Sequence, residues 1–219
     1  MLVTGFAAGA LGANCWVVAP EPGVQCAIID PGMDVLAPLQ RVLTEHDLRP
    51  EAVLLTHGHL DHSYDAAAVC EQYGVPVHVH PADRPQLTDP WSALGVPRGL
   101  PVLDRTTFTE PARLVDLAPG ALSVAGLEFT VHEAPGHTPG SVVFALRTVL
   151  FSGDFLFAGT IGRMDFPGGD ETQMYDSLER VLTPMPDDTA VHPGHGESTT
   201  IGHERAANPY LRALSQRTR

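Results

Sequence analysis

Cysteine is scarce in this chain. Its three cysteines, Cys15, Cys26 and Cys70, are scattered among 219 residues. Such spacing supplies neither a disulfide framework nor a thiolate zinc site, and it fits a reducing, cytoplasmic compartment. Basic residues are also few: 13 Lys and Arg face 26 Asp and Glu, a formal net charge of −13. That balance repels phosphate backbones and argues against nucleic acid as a partner. No uninterrupted apolar run reaches the ~18 residues that a membrane span requires, so no membrane partner is expected. The apolar start, MLVTGFAAGALGANCWVVAP, lacks a basic leader, and Gly5, Gly9 and Gly12 interrupt any helix there. It reads as strand, turn and strand rather than a signal peptide.

What remains, with 43% hydrophobic and 18% charged residues, is the composition of a globular enzyme. One domain spanning residues 1–219 is expected. The runs at 14–20 and 25–32 flank a Glu-Pro-Gly turn signal and read as a hairpin. A helix over 34–43 places Val35, Leu39, Val42 and Leu43 on one face. A strand at 51–58, a helix at 62–74 stopped by Gly74 and a strand at 75–81 follow, which is an α/β order. Residues 81–120 lack periodicity and read as a long excursion of little functional content. Three β-rich segments, at 122–136, 141–154 and 189–195, each end on a loop carrying Asp or His. Helices are expected at 171–182 and 203–215.

The densest chemistry lies in LLTHGHLDHSYD, residues 54–65, with three histidines and two aspartates after an apolar strand. His57 and His59 are two apart, so in an extended loop they point the same way. Asp61 and His62 stand where the next helix begins, and Asp61 suits its N-cap. One short segment could thereby feed two adjacent ions. His137 in APGHTPGS, Asp154 in LFSGDFLF and His195 in HPGHGES share the context of a strand ending in a Gly-containing loop. Active sites of α/β proteins collect at such strand ends.

In this order, THGHLDH, PGHTPGS, FSGD and PGHG resemble the metallo-β-lactamase superfamily. FAGTIGRMDFPGGD and TTIGHERAANPYL narrow the resemblance to hydrolases similar to glyoxalase II, or hydroxyacylglutathione hydrolase. It runs from GANCWVV to NPYL, nearly the whole chain. The resemblance implies an α/β fold, an αββα sandwich, with two divalent metal ions at one edge. His57, His59 and His137 would hold the first ion, Asp61, His62 and His195 the second, and Asp154 would bridge them. Asp61 and Asp154 are then the candidate catalytic carboxylates. Zinc is the expected metal, although iron and manganese suit the same nitrogen and oxygen ligands. The implied reaction is attack of a metal-bound hydroxide on a small-molecule thioester, whose thiolate leaves without a strong general acid.

Arg163 occupies the place where similar enzymes carry a basic residue against the thiol carrier's carboxylate, and Phe166 is expected to line the pocket. Only 24 residues follow His195, whereas the long form of the family continues into a helical glutathione-binding domain. The resemblance is therefore to a short form, with much of that thiol-binding surface absent. A persulfide dioxygenase with one iron on His57, His137 and Asp154 is the alternative on the same fold. His78 and His80 also lie two apart, but no third donor follows at useful spacing, so they read as bystanders. His132 and His192 fit packing or outer contacts better than coordination.

Overall fold

The computed structural model describes residues 1–95 and 108–217. Strands β1 (Leu2–Ala8), β2 (Ala13–Ala19) and β3 (Gln25–Ile29) form an antiparallel meander. Helix α1 (Leu36–Glu45) returns the chain so that β4 (Arg49–Leu54) lies parallel to β3. Helices α2 (Leu60–Ser63) and α3 (Ala66–Tyr73) lead to β5 (Val77–Val79), parallel to β4. A 3₁₀ helix (Pro81–Leu87) and α4 (Pro90–Leu94) precede β6 (Leu114–Asp116), which completes a six-stranded sheet in sequence order.

The second sheet begins with hairpins β7 (Gly120–Val124) with β8 (Leu127–Glu133) and β9 (Val142–Leu146) with β10 (Val149–Gly153). A two-stranded ribbon, β11 (Leu156–Phe157) and β12 (Thr160–Ile161), precedes helix α5 (Glu171–Leu182). Strand β13 (Ala190–Pro193) then pairs parallel to β10, followed by β14 (Thr199–Thr200), α6 (Ile201–Ala207) and α7 (Pro209–Arg217). This sheet runs in the order β14-β13-β10-β9-β8-β7.

Alternation along the strands explains the layering, because successive side chains face opposite sides of a sheet. Val17, Ile28 and Val53 pack against Leu39 and Leu43 of α1 and Val69 of α3, whereas their neighbours Val18, Ile29 and Leu54 meet the second sheet. There Phe129, Phe144 and Phe151 fill the space between the sheets. Val143, Leu150 and Val191 point outward onto Met174, Leu178 and Val181 of α5, Ile201 of α6 and Leu211 of α7. Both faces of both sheets are thus buried, giving the αββα sandwich expected. Truncating one of the inter-sheet phenylalanines to alanine would cost about 3–5 kcal/mol. Among the described residues no helix is long and apolar enough to cross a membrane.

Two of the three β-rich segments fold as hairpins: Ala125 (φ 54°) and Gly126 (φ 70°) make the turn between β7 and β8, and Arg147 (φ 56°) turns β9 into β10. Three local readings change. The expected helix at 62–74 is two helices, since the Asp65 N–H turns aside to the carbonyls of Pro31 and Gly32. The helix at 203–215 divides at Asn208 (ψ 120°), because the ring of Pro209 disfavours a helical conformation for the residue before it. The excursion at 81–120 contains the 3₁₀ helix, α4 and β6, and its residues 96–107 lie outside those described.

The loop after β3 and helix α2 touch so closely that a Cβ on Gly32 would fall on the Asp61 carbonyl oxygen. Gly74, in the left-handed conformation (φ 68°) that ends α3, has nothing within 4 Å of its would-be Cβ. Gly32→Ala should therefore lower stability by about 1–3 kcal/mol or more through overpacking against backbone. Gly74→Ala should cost only the left-handed penalty of about 1–2 kcal/mol. Denaturant midpoints of the two variants test this order, and an equal or smaller loss at Gly32 would contradict the close approach.

Candidate metal centre

Parallel pairing decides where the donors gather. Strands β3 and β4 run together in one sheet and β10 and β13 in the other, so their carboxyl ends emerge at one edge of the sandwich. Beyond β4 come His57 and His59, beyond β10 Asp154 and beyond β13 His195, while the loop between β8 and β9 carries His137. The N-terminal hairpin closes the same edge: the Asn14 N–H donates to Gly194 O (2.7 Å) and its Nδ2 to Pro193 O (3.0 Å) and Gly196 O (2.9 Å). Ala13 pairs with His195 itself.

The donors named from the sequence form two groups, and Asp30 makes a third, overlapping one with His57 and His62. The rings of His57, His59 and His137 stand edge to face with centroids 4.6–4.9 Å apart. Their ligating nitrogens lie within 4.8 Å of one another, and His59 Nδ1 approaches His137 Nε2 to 2.9 Å. In the second group, His195 Nε2 is 3.1 Å from Asp61 Oδ2 and 3.3 Å from His62 Nε2. The Asp154 carboxylate lies between the groups, with Oδ1 3.3 Å from His62 Nε2 and Oδ2 3.7 Å from both His137 Nε2 and His195 Nε2. All seven donors named from the sequence are therefore assembled in one place.

A further ring of contacts fixes which nitrogen of His57, His62 and His137 is free. Asp30 adopts a left-handed backbone (φ 52°), a conformation that aspartate tolerates better than most residues. Its Oδ1 accepts the Thr56 N–H (2.8 Å), and its Oδ2 accepts both the Thr56 hydroxyl (2.6 Å) and His62 Nδ1–H (3.0 Å). With its proton given to Asp30, Thr56 Oγ1 accepts from His57 Nδ1–H (3.0 Å). His137 Nδ1–H donates to the Arg163 carbonyl (2.7 Å). Each bond leaves an Nε2 lone pair turned toward the cluster. His57 Nε2, His59 Nε2 and Asp154 Oδ1 are buried without a hydrogen-bond partner, the kind of deficit that costs about 1–3 kcal/mol per group if nothing else compensates it. Clustered imidazoles and carboxylates with unpartnered buried atoms fit divalent metal ions.

The electrostatics divide along the same line. Burial, then the neighbouring histidines, pushes the pKa of His57 down. Burial and His137 hold His59 down to about 3. For His62 burial again opposes the charge, but Asp154 and Asp61 outweigh it and raise the pKa. His195 is also raised, burial being overcome by the hydrogen bond to Asp61 and by Asp154. Burial alone would raise Asp61 and Asp154, yet His62 heads the interactions that hold both below the usual carboxylate range.

Phe166 reaches the cluster, edge-on to His59 (5.3 Å) and His137 (6.1 Å). Arg163 is exposed, its guanidinium bound through two 2.8 Å contacts to Asp165 and stacked 4.3 Å over Phe166. Its backbone carbonyl, not its charge, touches the donors. Asp61 does not cap the helix as expected: His59 is the N-cap residue of α2, and Asp61 lies in the first turn with its carboxylate on His195. His80 bonds Glu133 (3.3 Å), and His192 bonds Ser198 (2.8 Å) beneath Trp16.

Sequence reasoning missed Asp30, Thr56, Asp83 and Phe157. Asp30 ends an apolar strand before Pro-Gly, the same signal that marked Asp154, and Thr56 directly precedes His57. Phe157 packs its ring 6.2 Å from His195. Asp83 lies in the excursion discounted above, yet its carboxylate is fully buried and accepts bonds from two of the donor loops.

The sequence profile of the metallo-beta-lactamase superfamily matches residues 8–195. A protein of Mycobacterium tuberculosis is 44% identical, the match covering 99% of this chain and 100% of that one. Hydroxyacylglutathione hydrolase GloC of Haemophilus influenzae is 38% identical over 92% of this chain and 94% of its own. Among solved structures, the BLEG-1 B3 metallo-beta-lactamase superposes with TM-score 0.84 at 35% identity, covering 96% of this chain and 99% of that one. TTHA1623 in a di-iron-bound form gives 0.80 at 36%, covering 95% and 100%. ETHE1 from Myxococcus xanthus gives 0.78 at 25%, covering 100% and 92%.

Thr56→Val should leave Asp30 and His57 Nδ1 each one partner short and destabilise the metal-stripped protein by about 1–3 kcal/mol. Thr56→Ser should restore most of the loss. Denaturant melts of the three proteins check this, and equal stability of Val and wild type would remove Thr56 from the network.

Proposed function

The chain belongs to the metallo-beta-lactamase superfamily, and from that premise we propose that it is a metal-dependent hydrolase of the hydroxyacylglutathione hydrolase type, cleaving the thioester of a small acyl-thiol. The likeness to Haemophilus GloC supports the reaction class. The observation that carries the reading is the buried, unpartnered Nε2 of His57 at the centre of a donor cluster, a lone pair that a cation satisfies. In this reading His57, His59 and His137 would hold one ion and Asp61, His62 and His195 a second, with Asp154 serving both. Zinc suits the set, as do iron and manganese. Bound there, two ions would lower the pKa of water toward neutrality and polarise the substrate carbonyl.

The residues of the chain supply orientation. Asp30, through Thr56 and His62, and the Arg163 carbonyl, through His137, keep the ring nitrogens aimed inward. Asp61 and Asp154 stay ionised, and their oxygens orient the attacking water. A departing thiolate, with a pKa near 8.5, needs no strong general acid. Phe157 and Phe166 flank the cluster on the His195 and His59 sides and exclude water from the acyl group. Arg163, exposed beside Phe166, exchanges Asp165 for a carboxylate of the thiol carrier.

A persulfide dioxygenase with one iron is the second reading, favoured by the two-histidine, one-carboxylate face that His57, His137 and Asp154 present, Asp154 Oδ2 standing 3.7 Å from His137 Nε2. Purified protein loaded with zinc, iron or manganese should hydrolyse an S-lactoyl thiol without oxygen. Oxygen-dependent persulfide turnover with no thioester cleavage under any metal would decide for the dioxygenase.

Acidification should empty the two sides in order. His59, held down to about 3, keeps its lone pair through the mildly acidic range, whereas His62 and His195 are raised and take up protons early as pH falls. Metal binding competes with those protons. Dialysis followed by metal analysis should therefore show about two equivalents at neutral pH, then a plateau near one, the ion of Asp61, His62 and His195 leaving first. Loss from the His57 side first would contradict the assignment.

A further inference from the structure

The carboxylate of Asp83 is not one of the seven donors, yet it is fully buried in the 3₁₀ helix. Its Oδ2 accepts the Gly58 N–H (2.8 Å) and the Thr138 hydroxyl (2.7 Å), and its Oδ1 accepts the Gly140 N–H (2.8 Å). Gly58 separates His57 from His59, and Thr138 follows His137. One carboxylate thus ties a loop of the first sheet to a loop of the second.

The seat is tight. A Cβ on Gly58 would meet the Asp83 carbonyl oxygen at 2.8 Å, and a Cβ on Gly140 would meet Asp83 Cγ at 2.7 Å. Burial is the largest influence on this carboxyl and raises its pKa against the three hydrogen bonds. Burying a carboxylate is unfavourable in itself, so its place here calls for a return elsewhere. The loops it joins bring His59 Nδ1 and His137 Nε2 to 2.9 Å. A hydrogen bond between these two ring nitrogens needs a proton that an ion held by both would displace, so once metal is bound the loops must be held together from outside the rings.

We propose that Asp83 is a positioning residue that presets the spacing of His57 and His59 against His137, and with it the affinity of the ion those three histidines hold. The inference rests on the ligand assignment above. Outer contacts of this kind change metal affinity by about 10–100-fold when removed. Asp83 acts on one side of the centre only, since its bonds reach neither the Asp61–His62 helix nor the His195 loop.

The test is a zinc titration of metal-stripped protein followed by NMR of the histidine rings, which reports the two groups separately. Asp83→Asn, which keeps the shape but turns an NH2 group toward either the Gly140 donor or the Gly58 and Thr138 donors, should weaken zinc binding at His57, His59 and His137 at least tenfold. Binding at His62 and His195 should stay within about twofold. Thr138→Val, which removes a single partner and keeps the carboxylate, should give a smaller loss at the same three histidines, and it serves if Asp83→Asn does not fold. A lower unfolding midpoint with unchanged zinc affinity at both groups, or equal weakening at both, would overturn the proposal. Wild-type protein in which zinc fails to shift the His57, His59 and His137 rings would instead overturn the ligand assignment.

Discussion

A cluster of imidazoles and carboxylates that cannot satisfy itself is the constraint around which the molecule is arranged. His57, His59 and His137 are buried together, and burial with the neighbouring rings holds His57 and His59 neutral, while Asp61 and Asp154 favour the charged forms of His62 and His195. Such a set would drift apart if it were free to do so. It is kept in place by bonds from outside: Asp30 and Thr56 beneath, the Arg163 carbonyl to one side and Asp83 between the loops. These groups do not belong to the chemistry, but they decide where the chemistry can occur.

The sandwich makes that arrangement possible. Strands buried on both faces leave their carboxyl ends as the natural outlet for polar side chains, and two parallel pairs, one in each sheet, put those ends on the same edge. The apolar layers between and outside the sheets, anchored by Phe129, Phe144 and Phe151, hold the two halves in register. The site is therefore an interface between sheets rather than a property of either.

Much of this was legible in the sequence because it obeys local rules. The apolar runs, the Gly and Pro punctuation and the H-x-H-x-D-H segment each occupy a few residues, and the structure gathers all seven named donors. Helix α5 coincides with the expected span because Asp170 caps it and its apolar face repeats regularly. What escaped depends on partners far along the chain. Asp65 breaks a helix by bonding the loop after β3, and Asp83 acquires its role from glycines 25 and 57 residues away. Nothing in the residues around Asp83 announces that its carboxylate will be buried. Arg163 shows the converse: its side chain suggested a role, while its backbone makes the contact.

The attachment of the N-terminal hairpin to the His195 loop bears on how the centre comes into being. Asp61 and His195 are 134 residues apart, and Asn14 reaches Pro193 across 179. Loop-closure entropy must be met before such contacts return anything, which makes them slow to form. His57, His59, Asp61 and His62 lie within one short loop and helix, so four of the seven donors can be in place while the chain is still incomplete. The remainder wait for β13 to dock beside β10 and for Asn14 to seize its loop, so assembly of the full constellation reports that both sheets have joined.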